Sequence, residues 1–566
     1  MSSLQYTLSK YLFSAADIAL ITTDEYVSKL YPVVYILYDE STMMAYVGES
    51  TSALSRLTTH LSHTEKQKLK RVYIISSELF NKSAVLDIES YLIQSIPSLG
   101  FKLLNANGGI ANHNYFQKEI YLTLFKNIWS NIIFDKVPSK TLLEIENSDI
   151  FKYSPYKSLT EDQFLSTLEI IRNILAKNAV TTFVDGLAGT GKTILAIYLI
   201  KLLSSYHRYE HDELDNVDES LCKLLLELKK SYPDGLIIGF VVPMSSLRNT
   251  LKSVFKEIHG LSGNMVIGPG DVVKKKYDII IVDESHRLTR RKAITNYKAF
   301  DDTNKKLGMF KEGGHGSQLD WILQSSNHQI IFYDSEQSIK PADVRKKDFD
   351  KVKALSTSSE VKLVSQLRSK GGKDYISFID ELLTVKLSIN SNAFTSPNYE
   401  LVLFNSMIDM VASLRKREEE YGLSRMMSGY SWKWVSRNDA SLPDANIDGV
   451  GLTWNRVSSD WINSTTDATE MGCIHTVQGY DLNFAGVIFG EEITFNKSAN
   501  KIVVKKANYH DAKGKATVDN ECDLHNYIIK IYKTMMLRGI FGTYVYVCDP
   551  ELREYFSRFL LVRKTD

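Results

Sequence analysis

The amino-acid sequence predicts an α/β protein: a small amino-terminal α/β unit followed by two lobes built on parallel sheets. Three observations lead there. Short runs rich in Val and Ile (Val180 to Val184, Leu236 to Val242, Asp278 to Val282, Gln329 to Tyr333, Ala485 to Phe489, Thr543 to Cys548) alternate with helical periodicity, the pattern of parallel strands covered on both faces. The 566 residues exceed what one hydrophobic core supports and call for roughly three or four folding units. Hydrophobic residues at 44% and charged residues at 24% are ordinary globular usage, which sets aside disordered, collagen-like and low-complexity classes.

In chain order, Val33 to Tyr38 and Ala45 to Val47 read as strands separated by the turn-prone Asp39-Glu40-Ser41, opening a compact unit that runs to about Gly109. Residues 1–110 hold 9 Lys/Arg and 10 Asp/Glu, so this unit is no simple basic tether. From Asn114 to Phe134, apolar residues at helical spacing predict a connecting helix, ended by Pro138. Val180 to Val184 leads into a glycine loop and an apolar-periodic helix from Thr193 to Leu203. Charged stretches at 207–230, 290–311 and 491–523 interrupt the strand–helix rhythm and read as insertions or arms. The expected domains are 1–112, a helical connector at 113–152, and lobes at 153–360 and 361–566.

Sixty-eight Lys plus Arg against 67 Asp plus Glu give a formal charge of +1, so any grip on nucleic acid must come from local patches. Cys222, Cys473, Cys522 and Cys548 form no C-x-x-C pair, which points to reduced thiols in a cytoplasmic protein rather than a disulfide or zinc framework. Apolar runs fall far short of the roughly 18 residues of a membrane span, and the first residues lack a signal-peptide pattern.

Gly186-Leu187-Ala188-Gly189-Thr190-Gly191-Lys192-Thr193 fits G-x-x-x-x-G-K-[ST] between a predicted strand and a predicted helix. Its glycines let backbone N–H groups wrap phosphate oxygens beside a helix N-terminus. Lys192 then neutralises the β/γ-phosphates of ATP, and the Thr193 hydroxyl binds Mg2+. Ninety-one positions after Lys192, Ile279-Ile280-Ile281-Val282 leads into Asp283-Glu284. A carboxylate pair at the end of a buried strand suits an ATPase, Asp283 holding the metal and Glu284 polarising the attacking water.

These residues resemble superfamily 1 helicases, specifically a bacterial P-loop family related to the helicase-like portion of Schlafen proteins. Tyr153 to Gln163 is similar to the segment in which a glutamine, here Gln163, reads adenine. Val242 to Arg248 is similar to the motif that lines the single-strand channel. Phe332 to Gln337 resembles the third motif, with Gln337 sensing the γ-phosphate. Gln366-Leu367-Arg368, Ile474 to Asp481 and Met536 to Gly539 resemble the fourth, fifth and sixth. The resemblance implies two RecA-like lobes, nucleotide contacts from Gln478 and Asp481, and Arg368 and Arg538 as arginine fingers. A guanidinium delivered from a second lobe stabilises transition-state charge only when the cleft closes. Asp481 stands where Glu is usual and Leu537 where Thr is frequent.

Val33-Val34-Tyr35, Tyr46-Val47-Gly48, Arg56-x-x-x-His60, Glu89 and Asn105 resemble the GIY-YIG endonuclease family, with Val33 in place of a glycine. The resemblance implies a small three-stranded α/β fold. It casts Tyr35 as general base or water-positioning group, aided by Tyr46 and His60, and Arg56 as clamp on the scissile phosphate. It also casts Glu89 as ligand of Mg2+ or Mn2+, and Asn105 as a brace. A free tyrosine titrates near 10, so Tyr35 needs help to act as a base. Lys66, Lys68, Lys70 and Arg71, and Lys501, Lys505 and Lys506, read as solvated surface or phosphate contacts. Trp432, Trp434 and Trp454 read as buried packing or stacking platforms.

The joint expectation is an enzyme coupling metal-dependent phosphodiester cleavage to a helicase-like ATPase. It acts on nucleic acid, DNA favoured over RNA, with no membrane and with a second copy or a defence-system component as candidate partners. By analogy the setting is antiphage defence. The alternatives are an ATP-switched nucleic-acid sensor or remodeller with a non-cleaving amino-terminal module, and an ATPase acting on protein complexes.

Overall fold

The computed structural model describes residues 5–106, 115–176, 180–209, 217–292, 294, 296–311, 314–334, 337, 342–457, 461–477, 479–511, 515 and 521–563. Two compact units partition the chain: residues 1–175, 193–238 and 251–266 in one, and residues 176–192, 239–250 and 267–566 in the other.

The amino-terminal sheet contains β1 (Thr7–Leu12), β2 (Val33–Asp39), β3 (Met44–Ser50), β4 (Arg71–Ser76) and β5 (Lys102–Leu103), in the order β1-β4-β2-β3-β5. Every residue of β2 is buried because alternate side chains serve two covered faces. Val33, Tyr35 and Leu37 pack with Ala53 and Leu57 of the Ala53–Ser62 helix. Val34, Ile36 and Tyr38 pack with Val85, Ile88 and Leu92 of the Lys82–Ser95 helix. The core β4-β2-β3 is antiparallel. The sheet has five strands rather than three, because β1 pairs antiparallel with β4 and β5 pairs parallel with β3, covering both outer edges of that core. The connecting helix spans Lys118–Asn131 and stops well before Pro138: Ile132 turns to extended backbone, and Ile132 and Phe134 enter the core instead. Asn114 lies outside the described residues.

The second unit holds the two large sheets, the second of them parallel except at one edge, where Ala445–Ile447 and Val450–Trp454 pair antiparallel. The first comprises β6 (Thr181–Gly186), β7 (Ile238–Val241), β8 (Val266–Ile267), β9 (Tyr277–Val282), β12 (Ser326–Tyr333) and β13 (Ser358–Leu363), ordered β13-β6-β12-β9-β7-β8; a small hairpin, β10 (Phe310–Lys311) and β11 (Gly314–His315), precedes β12. β12 lies parallel between β6 and β9, so the chain leaving all three strands emerges at one end of the sheet. The second comprises β14 (Glu400–Phe404), β15 (Ser424–Ser428), β16 (Ala445–Ile447), β17 (Val450–Trp454), β18 (Glu470–Gly472), β19 (Leu482–Phe489), β22 (Gly539–Val547) and β23 (Leu561–Val562), ordered β16-β17-β18-β15-β19-β22-β14-β23. All eight residues of β19 are buried, and each large aliphatic side chain so buried contributes about 1.5–3 kcal/mol.

The described residues of the charged stretches include regular elements. The first carries the Glu219–Ser231 helix, which buries Leu221, Leu225 and Leu228, and the second the Tyr297–Lys306 helix. The third carries a hairpin, β20 (Ile493–Asn496) and β21 (Lys501–Val504), whose Ile493, Phe495 and Ile502 join the core of the second sheet with Tyr509. Charge counting hides these because their apolar residues are sparse and periodic. No helix among the described residues is long and apolar enough to cross a membrane.

Candidate nucleotide and amino-terminal sites

The phosphate loop follows β6, and the helix Lys192–Ser205 begins at its lysine. Gly189 and Gly191 adopt φ of 83° and 76°, the left-handed region that costs a glycine little. Lys192 Nζ donates to the carbonyls of Gly186 (2.6 Å) and Leu187 (2.9 Å) and lies 3.3 Å from Asp334 Oδ2. Gln337 Nε2 donates to the same Asp334 oxygen at 2.6 Å. Lys192, Asp334 and Gln337 are therefore one buried chain of contacts at the ends of β6 and β12. Asp334 lies within the third-motif stretch, and its place directly after a buried strand, beside that motif's glutamine, is the signal that marks it. A cavity of about 560 Å3 opens beside the loop, lined by Gly186, Leu187, Thr190, Tyr333, Asp334 and Leu363 among others.

Asp283 and Glu284 leave β9 at the same sheet end, both buried. Glu284 has φ of 49°, and its Oε2 lies 2.8 Å from His286 Nε2. Burial alone would raise its carboxyl pKa, but His286, Lys192 and Arg538 outweigh it and hold the group well below the ordinary range. A carboxylate kept charged in a dry site is suited to accept a hydrogen bond. His286 stands two residues after Glu284, and a lone histidine at that spacing carries little signal in a sequence.

The two arginines meet one short segment. Arg368 forms an ion pair with Asp481. Arg538, 1% exposed, donates from Nη1 to the Tyr480 carbonyl at 3.1 Å. The segment before Arg368 is fastened to the phosphate loop: Gln366 Nε2 donates to Ala188 O (2.9 Å), and the N–H groups of Leu367 (2.9 Å) and Arg368 (3.2 Å) both donate to Gly189 O. Asp481, expected as a nucleotide contact, is an arginine partner here. Gln478, Ser335 and Glu336 lie outside the described residues. Gln163 is buried, its amide oxygen accepting from Thr160 N–H at 3.1 Å; Thr193 directly follows Lys192 in its helix. Arg248 turns back to the carbonyls of Val242 (2.7 Å) and Pro243 (3.2 Å).

In the amino-terminal sheet, Tyr35 is fully buried and its hydroxyl lies 2.9 Å from His60 Nε2. Tyr35 sits opposite Gly48 in register, and a Cβ at Gly48 would lie 2.4 Å from the Tyr35 hydroxyl; the glycine is the space the phenol occupies. Burial pushes the Tyr35 pKa well up, with Tyr46 and Glu89 raising it further and Arg56 opposing them. Its resting state is the phenol. Tyr46 and His60 stack edge-on at 5.1 Å. Lys66, grouped from sequence with solvated lysines, is fully buried with Nζ 4.3 Å from the Tyr46 ring centroid; the aromatic face replaces water around the ammonium. Lys68 pairs with Glu65 at 3.1 Å, Arg71 with Asp135, and Lys505 with Asp549 at 3.0 Å. Asn105 brackets Val47, donating to its carbonyl (2.8 Å) and accepting from its N–H (3.0 Å).

Glu89 is 7% exposed on the Lys82–Ser95 helix, and its pKa is pushed up to about 8, first by burial and then by Glu49, with Lys82 and the Glu49 backbone amide opposing. Among the described residues no three His, Cys, Asp or Glu side chains gather as a metal-binding group, so a cation at Glu89 fits only with a largely aqueous shell, as Mg2+ prefers. Trp454 is buried, Trp432 packs against the same core, and Trp434 is 39% exposed.

A phosphate loop with a buried acidic pair, one arginine on the segment clasped to that loop and a second arginine leading into β22 of the second sheet define a helicase-like P-loop ATPase. Residues 179–549 match the family model described as Schlafen group 3, DNA/RNA helicase domain; the chain belongs to this family, whose helicase-like ATPases process nucleic acid. It is also similar to Uncharacterized protein YPL245W of Saccharomyces cerevisiae, 23% identical over 413 residues that cover 68% of this chain and 85% of the yeast protein. Among solved structures it aligns with a Pif1 helicase from Bacteroides in complex with ADP-AlF3 and ssDNA (13% identity, 68% of this chain and 92% of that one, TM-score 0.25). It likewise aligns with Pif1 helicase from Candida albicans (10% identity, 71% and 99%, TM-score 0.25).

Proposed function

We propose that this protein is a nucleic-acid motor fused to a GIY-YIG endonuclease, with the nuclease unit at 1–112, a connector at 113–152, and ATPase lobes at 153–360 and 361–566. DNA is the favoured substrate and antiphage defence the favoured setting. The observation that carries the motor is the attachment of the arginine segment to the phosphate loop, Leu367 and Arg368 N–H on Gly189 O. A change at the phosphates is felt directly by the segment that leads to the second lobe. Lys192, Thr193 and Asp283 would hold ATP and Mg2+, Glu284 would orient the attacking water, Gln337 would read the γ-phosphate through Asp334, and Arg368 and Arg538 would neutralise transition-state charge. Gln163, Gln478 and Asp481 keep the nucleotide roles that the resemblance gives them, Asp481 alternating between ribose and Arg368.

In the amino-terminal unit the carrying observation is the buried Tyr35–His60 hydrogen bond. His60 Nε2 accepts the Tyr35 proton while Tyr35 orients the attacking water; Arg56 and Lys66 face the scissile phosphate, Tyr46 shapes the pocket, and Asn105 fixes β3. Glu89 would hold Mg2+ or Mn2+, which supplies Lewis-acid stabilisation of the leaving oxygen. The deciding experiment offers single- and double-stranded DNA and RNA with Mg2+, with and without ATP, to wild type and Glu89→Ala. Cleavage lost in the variant supports the nuclease. Tight binding without cleavage under any metal replaces it with the sensor reading, and equal plating of phage on cells carrying wild type or Lys192→Ala removes the defence setting.

A further inference from the structure

Glu49 follows the glycine that makes room for Tyr35, so on β3 it faces opposite to that phenol. Its register partner is Val34, whose side chain packs on the face covered by the Lys82–Ser95 helix. That helix carries Glu89 as well as Lys82, seven residues apart and so on one helix face, and the Glu49 charge is among the causes that raise the Glu89 carboxyl pKa. The Glu49 side chain is only 4% exposed. One oxygen, Oε1, accepts from Lys82 Nζ at 2.5 Å, and that lysine side chain is 58% exposed, reaching in from solvent. The other oxygen, Oε2, is buried and has no hydrogen-bond partner. A buried carboxylate oxygen without a donor is costly, and placing it beside a second buried carboxyl compounds the cost. A cation between the two groups removes both penalties.

We infer that Glu49 is a second carboxylate ligand of the divalent cation held by Glu89, binding through Oε2 while Lys82 fixes Oε1. The inference rests on the nuclease reading of Glu89 and adds a ligand which that reading does not contain. Two carboxylates completed by water form the shell a Mg2+-sized ion takes, and the Lys82 clamp gives the first a fixed orientation, as outer-shell partners do for metal ligands.

The test is Mn2+ binding to the 566-residue protein without nucleotide, followed by the electron paramagnetic resonance signal of free Mn2+, in wild type, Glu49→Gln, Glu49→Asp and Glu89→Gln. Wild type is expected to bind the ion, Glu89→Gln to lose it, and Glu49→Gln to weaken it by roughly tenfold or more, the scale of a disturbed metal shell. Glu49→Asp keeps the charge on a shorter arm and is expected to fall between Glu49→Gln and wild type, so it decides the matter if Glu49→Gln fails to fold. Wild-type affinity in both Glu49 variants, with binding lost in Glu89→Gln, overturns the role of Glu49 and leaves Glu89 standing. Binding unaffected by Glu89→Gln, or no binding in wild type, overturns the nuclease reading itself.

Discussion

The phosphate loop and the amino-terminal site solve the same problem, a grip on phosphate, with opposite materials. The loop is one contiguous stretch whose grip is mostly backbone, with two left-handed glycines and a lysine folded onto the loop's own carbonyls. The amino-terminal constellation is almost all side chain, drawn from β2, β3, two helices and the 3-10 turn that carries Lys66. A backbone site carries its geometry wherever its eight residues go. A side-chain site exists only while the sheet beneath it keeps its register, because a slip of one residue would turn Tyr35 to the opposite face.

The sharpest way to break this contrast is to remove one cation from each site. Lys192→Ala is expected to lower ATP turnover by roughly 100-fold or more, the scale of deleting a preorganised charge aimed at a transition state; phosphate release reads it, and intact turnover would refute the assignment. Arg56→Ala is expected to lower cleavage by a similar factor, roughly 100-fold, while ATPase stays at the wild-type rate. A parallel loss of both activities would show that the two sites are not separable.

Next in size is the effect of adding a methyl group. Gly48→Ala drives a Cβ to 2.4 Å from the Tyr35 hydroxyl, and overpacking of this kind costs about 1–3 kcal/mol. Differential scanning calorimetry should show the amino-terminal transition falling while that of the ATPase lobes stays in place. At Gly189 the methyl meets Gln366 Oε1 at 2.1 Å on a φ of +83°, so Gly189→Ala should weaken ATP binding and destabilise the loop by a comparable 1–3 kcal/mol, roughly. The smallest expected effect belongs to Asp481→Asn. The Arg368–Asp481 pair is partly exposed, and such pairs are worth about 1 kcal/mol or less. ATPase should shift by less than roughly tenfold, and a total loss would mean that Asp481 does more than hold the arginine.

Legibility followed the same division. The loop, the acidic pair and the strands β6, β7, β9, β12, β19 and β22 could be read because each is a local pattern, and the strands are continuous apolar runs; β8, β13 to β18 and β23 are shorter or mixed in polarity and gave no such run. Lys66 is legible only through the tertiary fold. A lysine among lysines reads as surface until the fold lays it over the Tyr46 ring. Glu49 gave no signal at all, since its meaning lies in a helix some forty residues later. The early end of the connecting helix escaped because Ile132 and Phe134 fit helical spacing and are equally apolar when extended into the core.

The bonds from Leu367 and Arg368 to Gly189 also matter for anyone building chimeras in this family. Residues 186–192 and 366–368 are far apart in the chain, but they share carbonyls, N–H groups and the space above Gly189. A graft that exchanges the glycine loop alone would pair a foreign loop with a native clasp. The interchangeable part is the loop and clasp together, a discontinuous cassette.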